Sequence, residues 1–152
     1  MGLPIDARFS ALEKFVNRAC DKKLDEQEAS YLCKLGSVLV CGNLERCVEI
    51  AVVERLERRS PPQISAFLRN YFKAGRNYDC EQIAQLLHRF DSGWGKLFEG
   101  LLTESVRSSI SSCYAVRNSV AHGGAQSLGQ KSLRQYFEAS FQVVVCLESA
   151  IH

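Results

Sequence analysis

Apolar residues recur along most of the chain with the three- and four-residue spacing that places them on one face of a helix. No stretch alternates apolar and polar positions as a half-buried strand does. The polar run DKKLDEQE separates the first predicted helix from the second. The pattern therefore predicts an all-α protein. The stripe of the first helix consists of Ile5, Phe9, Leu12 and Val16.

Helix-end signals bound the second and third predicted helices. Asp25 suits the N-cap of a long second helix, and Glu28 three positions later completes a capping box. This helix extends to Arg58, where the sequence RRSPP ends it. Ser60 then suits the N-cap of a third helix and Pro61 its first position. The third stripe consists of Ile64, Phe67, Leu68, Tyr71 and Phe72.

Three further helices complete the predicted architecture. Asp79 caps a short fourth helix, which the segment DSGWG ends. A fifth helix runs from about Thr103 to His122, where two glycines stop it, and the last begins near Lys131. We expect an up-down bundle of five or six helices in one domain spanning residues 1–152. The long second, fifth and last helices should form its core.

The composition adds limits on the class of protein. The chain has 152 residues, of which 46% are hydrophobic and 24% charged, as in ordinary globular domains. No apolar run reaches membrane-spanning length, so we expect no membrane partner. A formal net charge of +2 excludes a strongly basic coat for nonspecific duplex binding, although it permits a local basic cleft.

Cysteine usage and the N-terminus indicate a reducing compartment. The seven cysteines form no CxxC pair and have no histidine at zinc spacing, so we expect small buried hydrophobes and no metal site. The N-terminal sequence MGLPIDARFS carries charges at Asp6 and Arg8, where a signal peptide needs an apolar run. These features predict a cytoplasmic protein.

The segment YAVRNSVAHGG, residues 114–124, interrupts the apolar pattern of the fifth helix. Arg117 falls between the last two members of its stripe. Burying a guanidinium alone is very costly, so Arg117 needs another explanation. It has a function at this position, or its side chain extends along the helix edge to solvent, or it forms an ion pair with a carboxylate such as Glu45. His122 ends the same helix, where a histidine often only caps the helix dipole. The stripe consists of Val106, Ile110, Cys113 and Val120.

The sequence contains the pattern Arg-Asn-x-x-Ala-His, formed by Arg117, Asn118, Ala121 and His122 and followed by Gly123. This resembles the mark of the HEPN superfamily, an Arg-x(4 to 6)-His motif at the end of a penultimate helix. The segments GNLERCVEIAVVERL and CEQIAQLLHRFDSGWGKLF are similar, in the same order, to the RiboL-PSP type branch of that superfamily. The resemblance covers the chain from about residue 36 onward.

The resemblance implies an all-α HEPN-like fold and a metal-independent endoribonuclease that needs no cofactor. Its substrate would be RNA, a tRNA or an mRNA, and its setting a toxin–antitoxin pair or a defence system. The resemblance also implies a cognate antitoxin or immunity protein as a partner. Gly124 stands where some HEPN toxins carry a tyrosine that the antitoxin adenylylates, so the resemblance does not extend to that mode of control.

The motif residues suit cleavage by the 2′-hydroxyl next to each phosphodiester of RNA. Histidine gains or loses a proton between about pH 5 and pH 8, so His122 can act as acid or base. Arg117 can stabilise charge on the phosphorane, and Asn118 can orient the phosphate or the histidine. One such histidine per chain leaves one proton-transfer step unassigned. The resemblance implies a two-fold homodimer that brings two motifs into one cleft.

Glu45 is a second charged residue on an apolar stripe, in this case that of the second helix. We hypothesise that it lies near Arg117 or His122 as an orienting or auxiliary catalytic residue. A plain structural ion pair explains the position equally well. The stripe consists of Val38, Cys41, Glu45, Val48 and Val52.

Basic residues in or beside the loops before the motif are candidates for RNA binding: Lys73, Arg76 and Lys96. Together with Arg89 they alternate with three aromatic residues, a mixture that can hold single-stranded RNA by charge and stacking. The alternative is a solvated rim with its tryptophan in the core. The aromatic residues are Tyr71, Tyr78 and Trp94.

Two other functions remain open from the sequence. A HEPN domain can serve as a non-catalytic nucleotide-binding, protein-interaction or dimerisation module, and a helical bundle can be purely structural. The complete set of Arg117, Asn118 and His122 favours the enzyme.

Overall fold

The computed structural model describes residues 2–58, 60–73, 75, 77–124 and 127–152, which form seven α-helices and no strand. The predicted all-α fold is confirmed, with seven helices in the described residues where the sequence predicts five or six. None of these helices is long and apolar enough to cross a bilayer. The helices are α1 (Leu3–Ala19), α2 (Glu26–Glu57), α3 (Pro62–Lys73), α4 (Cys80–Phe90), α5 (Ser92–Leu101), α6 (Glu104–Ala121) and α7 (Gln130–Ala150).

The 32-residue helix α2 is the centre of the bundle. Helices α1, α3, α6 and α7 all pack against it, and α6 and α7 also pack against each other. The core predicted for the long helices is therefore confirmed. A β-carbon on Gly36 of α2 would lie 2.7 Å from Cδ1 of Leu133 on α7, so this glycine allows the two helices to approach closely. Residues buried on α2 include Val40, Leu44, Cys47, Val48 and Val52.

Short polar side chains begin the helices where the sequence predicts. The Asp25 carboxylate accepts the backbone N–H of Glu28 at 2.8 Å and so starts α2. The Asp79 carboxylate accepts the N–H of the third residue after it at 2.9 Å and starts α4. The Thr103 hydroxyl does the same for α6 at 3.3 Å. Each cap satisfies a backbone donor that has no partner within the helix.

Helix α3 begins at Pro62, one residue later than predicted from Pro61. It packs mainly against α2, and its stripe is only partly covered as a result. Leu68 and Phe72 are buried, whereas Phe67 is 65% exposed.

The additional helix is α5, which begins within the segment DSGWG that ends the fourth predicted helix and which the sequence does not predict. The Asp91 carboxylate accepts the N–H groups of Gly93 at 2.7 Å and Trp94 at 3.3 Å, and this cap starts the helix. Burial of Phe98 then offsets the poor helix propensity of glycine. Trp94 is half-buried against the core with the Cζ atom of Arg55 5.9 Å from its ring, as the structural alternative expected.

Candidate active site at the end of the sixth helix

The structure corrects the predicted register of α6. After Cys113 the buried face continues through Tyr114 and Val116, and Arg117 lies half-buried at the edge of that face. The arginine is therefore neither a core residue nor a freely solvated one. Its aliphatic stem is partly covered, while its guanidinium reaches polar groups at the surface.

Two asparagine side chains hold the Arg117 guanidinium. Its Nη1 atom donates to Oδ1 of Asn77 at 2.9 Å and to Oδ1 of Asn118 at 3.1 Å. A guanidinium only donates, so both amides must present oxygen to it and direct their NH₂ groups elsewhere. The Nε–H and Nη2–H groups, which are parallel, make no hydrogen bond to the described part of the chain. They form a fork that matches two oxygens of a phosphate.

Glu45 of α2 lies behind this arginine in a polar network. The Tyr114 hydroxyl donates to Oε1 of Glu45 at 3.3 Å and accepts the backbone N–H of Tyr78 at 3.1 Å. Burial raises the pKa of Glu45, although the Arg117 charge and the Tyr114 hydrogen bond lower it in part. Burial also raises the pKa of Tyr114, so the phenol keeps the proton that it donates. The hypothesis that Glu45 lies near Arg117 agrees with this arrangement, while its catalytic role stays a prediction.

His122 is the exposed C-cap of α6, and its backbone is fixed by the turn that follows. The N–H of Gly124 donates to the Ser119 carbonyl at 2.7 Å, and the N–H of Gly123 donates to the Val120 carbonyl at 3.1 Å. This pair of bonds is the Schellman motif, with Gly123 at φ 73°. A β-carbon on Gly124 would lie 2.8 Å from the Ser119 carbonyl oxygen. The two glycines therefore shape the helix end that presents the imidazole.

Comparison with known families agrees with the fold and the motif. A family model described as RiboL-PSP-HEPN matches residues 4–152. The chain belongs to the RiboL-PSP-HEPN family. No curated protein and no solved structure matches the chain. The resemblance found in the sequence is confirmed, and the match includes the first helix, which the resemblance had not covered.

The structure gathers only some of the predicted HEPN site residues. Arg117, Asn118 and Glu45 lie together where α2 and α6 meet the connection between α3 and α4. His122 lies five residues beyond Arg117, which corresponds to about 7.5 Å along a helix axis and roughly 140° of rotation beyond one turn. No hydrogen bond joins its imidazole to the described residues.

Two predicted RNA-binding residues, Lys73 and Arg76, precede Asn77 closely in the sequence. Lys73 is exposed at the end of α3, four positions before Asn77. Arg76 lies outside the described residues. The connection that follows Lys73 supplies Asn77 to the Arg117 guanidinium.

The third predicted RNA-binding residue, Lys96, is exposed on α5. Helix α5 packs against α4 and α7. The Arg107 side chain on α6 donates to the Glu99 carbonyl of α5 at 2.7 Å. Arg107 precedes Arg117 by ten residues, about 15 Å along the axis. No hydrogen bond or ion pair between described residues brings Lys96 to the motif.

Two residues of the cluster are not among the candidate site residues that the sequence predicts: Asn77 and Tyr114. Tyr114 offered a signal, since it precedes Arg117 by one helical turn and carries a hydroxyl on a buried face. Asn77 offered none, because its contact with Arg117 spans 40 positions of the chain.

We predict that Glu45→Gln raises the melting temperature at neutral pH. The pKa of Glu45 is raised in the folded chain, so ionisation costs folding free energy as pH rises above its ordinary value of 4.5. The variant lacks that cost. Thermal unfolding between about pH 4 and pH 8 should show an advantage for the variant that grows with pH and disappears in acid.

Glu49→Gln is the matched control, because Glu49 lies one turn further along α2 and pairs with Arg46. It should show no such gain. A Glu45→Gln protein that melts below the wild type at neutral pH would refute this account.

Proposed function

We propose that the protein is a metal-independent endoribonuclease that cleaves RNA by attack of the 2′-hydroxyl on the adjacent phosphorus. The bond to the 5′-oxygen of the next nucleotide breaks, which gives a 2′,3′-cyclic phosphate and a 5′-hydroxyl. Membership of the HEPN family supports the choice of an RNA substrate. The motif residues of this chain supply the groups that the reaction requires.

The observation that carries the proposal is the tethering of Arg117. Its Nη1 atom is occupied by Asn77 and Asn118, and its parallel Nε–H and Nη2–H groups face no described partner. A guanidinium used only for stability would be expected to use this fork on a carboxylate of its own chain. Here the fork is held in place and left for an anion, which is the preorganisation that stabilises a phosphorane.

His122 exchanges the proton of the 2′-hydroxyl or of the leaving 5′-oxygen. A single chain supplies one such histidine, and the second proton transfer falls to His122 of a second copy in a two-fold homodimer. Asn118 orients the phosphate through the NH₂ group that it directs away from Arg117. The charge of Glu45 supports the Arg117 guanidinium electrostatically, while Lys73, Arg76 and Lys96 bind the RNA backbone.

The biological substrate is a tRNA or an mRNA, and the protein acts as a toxin or a defence effector in the cytoplasm. The exposed positions of Asn118 and His122 at the end of α6 suit a flexible single strand, which can bend to bring its 2′-hydroxyl in line with the phosphorus. An antitoxin or immunity protein would hold such an activity in check.

The test is incubation of the purified protein with a long single-stranded RNA in excess EDTA. We expect fragments that end in a 2′,3′-cyclic phosphate and begin with a 5′-hydroxyl, detected by the end-group requirements of polynucleotide kinase and RNA ligase. The double variant Arg117→Ala/His122→Ala, purified in the same way, is the control for contaminating nucleases. Absence of cutting on any RNA would instead favour a HEPN domain used as a nucleotide-binding or dimerisation module.

A further inference from the structure

A cleft lies beside the tethered arginine and is not used by the chemistry above. It has a volume of about 370 Å³, within the range of roughly 300–1,000 Å³ typical of ligand sites. Asn77 lines it and also accepts from Arg117, so the cleft adjoins the place proposed for the phosphate. The residues of α4 that line it occur at one helical face: Gln82, Gln85, Leu86 and Arg89.

The lining has the chemistry of a surface that reads hydrogen-bonding edges. Three carboxamides, on Asn77, Gln82 and Gln85, offer donors and acceptors, and Arg89 adds a cation. The described lining residues include no carboxylate. Tyr71 contributes a half-exposed aromatic ring to the wall. Amides beside an aromatic ring suit a planar, uncharged, polar group such as a nucleobase.

The orientation of two side chains narrows the choice of base. Gln85 donates through Nε2 to Glu81 at 3.2 Å, which leaves its Oε1 as an acceptor. Arg89 is exposed and has no hydrogen bond or ion pair within the described ranges, so its donors are available. Guanine presents two adjacent acceptors, O6 and N7, that match a guanidinium, and its N1–H and N2–H₂ donors match an amide oxygen. Adenine has an amino group in place of O6.

We propose that this cleft binds the guanine base of a nucleotide next to the cleaved phosphate, with Arg89 on O6 and N7 and the Gln85 side-chain oxygen on the N1–H edge. The inference rests on the proposed ribonuclease function for the neighbouring phosphate. It makes the protein selective for guanine at one position and tolerant of any base elsewhere. Selectivity then comes from α4 and the connection before it, and chemistry comes from α6.

The first measurement is the sequence composition around the cuts in a randomised single-stranded RNA pool. We expect guanine enriched at one fixed position beside the cut. Arg89→Gln should reduce that enrichment about tenfold, the discrimination that one bidentate contact gives, and Gln85→Ala should also reduce it. The matched controls are Arg18→Gln and Gln135→Ala, two exposed residues on α1 and α7. Both should keep the preference.

The second measurement is binding of 2′-O-methylated pentamers, UUGUU and UUAUU, by fluorescence anisotropy. These probes lack the nucleophile, so they report on the cleft whether or not the protein cuts RNA. Guanine-selective binding that both cleft variants lose supports the cleft even if no RNA is cut. Cutting with no guanine preference, or with a preference that the variants retain, overturns the cleft and leaves the ribonuclease proposal intact. Absence of cutting with equal binding of the two probes overturns both.

Discussion

Arg117→Ala should lower the rate of RNA cleavage by about 10²–10³-fold, the usual cost of removing one preorganised donor from a charged transition state. The loss should appear in the single-turnover rate constant. The reason is that negative charge on the phosphate oxygens, to which the Nε–H and Nη2–H groups donate, is greatest when the phosphorane forms. Folding should change little, since Arg117 lies at the edge of the α6 face and its hydrogen bonds are with exposed asparagines. Circular dichroism would check that the helices remain.

Arg107→Ala is the matched control for this variant. Arg107 is also a half-buried arginine of α6, but it lies ten residues before Arg117 and donates to the Glu99 carbonyl. Its removal should leave the cleavage rate within about twofold, since it touches no group placed in the site. Arg117→Lys should recover little activity, because an ammonium lacks the parallel N–H groups. An Arg117→Ala protein that cuts at the wild-type rate would remove this arginine from the mechanism.

The helices could be predicted from sequence wherever a stripe and a cap coincide. Asp25, Asp79 and Thr103 each precede an apolar stripe, and each caps a helix in the structure. The segment after Asp91 has three glycines in ten residues, which indicates a loop when only local propensity is considered. The segment forms α5 because Asp91 caps it and because Phe98 is buried. The burial of Phe98 depends on tertiary packing.

The candidate site was predictable to the extent that it lies on regular helices. Arg117 and Glu45 are charged residues on apolar stripes, and such conflicts with the pattern can be read from the sequence. Asn77 sits in an irregular connection whose path depends on how α3 and α4 dock. No periodicity fixes that path. The tethering of the guanidinium, which carries the functional proposal, therefore becomes visible only in three dimensions.

The network behind Arg117 shows how the bundle supports the motif. Cys41 and Cys113 contact each other with their sulfur atoms 3.6 Å apart, so small side chains line the crossing of α2 and α6. Glu45, one turn further along α2, accepts a hydrogen bond from Tyr114, the residue that follows Cys113 on α6. Tyr114 then reaches the connection that carries Asn77. The central helix thus positions the arginine indirectly, through a tyrosine and a loop.

Tyr114→Phe should be the most destabilising conservative change near the site. The Tyr114 hydroxyl is the described partner of the Tyr78 N–H, which is buried, and it also donates to Glu45. Leaving a buried donor without a partner costs about 1–3 kcal/mol. For a chain of this size the cost corresponds to a fall in melting temperature of roughly 3–10 °C. Cleavage should weaken as well, because the connection that carries Asn77 loses an anchor.

Tyr136→Phe provides a control in the same core. Tyr136 is also buried, but no hydrogen bond of its hydroxyl to the described residues would be lost, so its melting temperature should stay close to that of the wild type. Amide hydrogen exchange shows whether Tyr114→Phe destabilises the connection that carries Asn77 or the packing of α2 against α6. Faster exchange at Tyr78 and its neighbours, with α2 and α6 unchanged, locates the loss in the connection. Equal melting temperatures for the Tyr114→Phe and Tyr136→Phe proteins would show that other contacts hold the connection between α3 and α4. The anchoring role inferred for the Tyr114 hydroxyl would then be refuted.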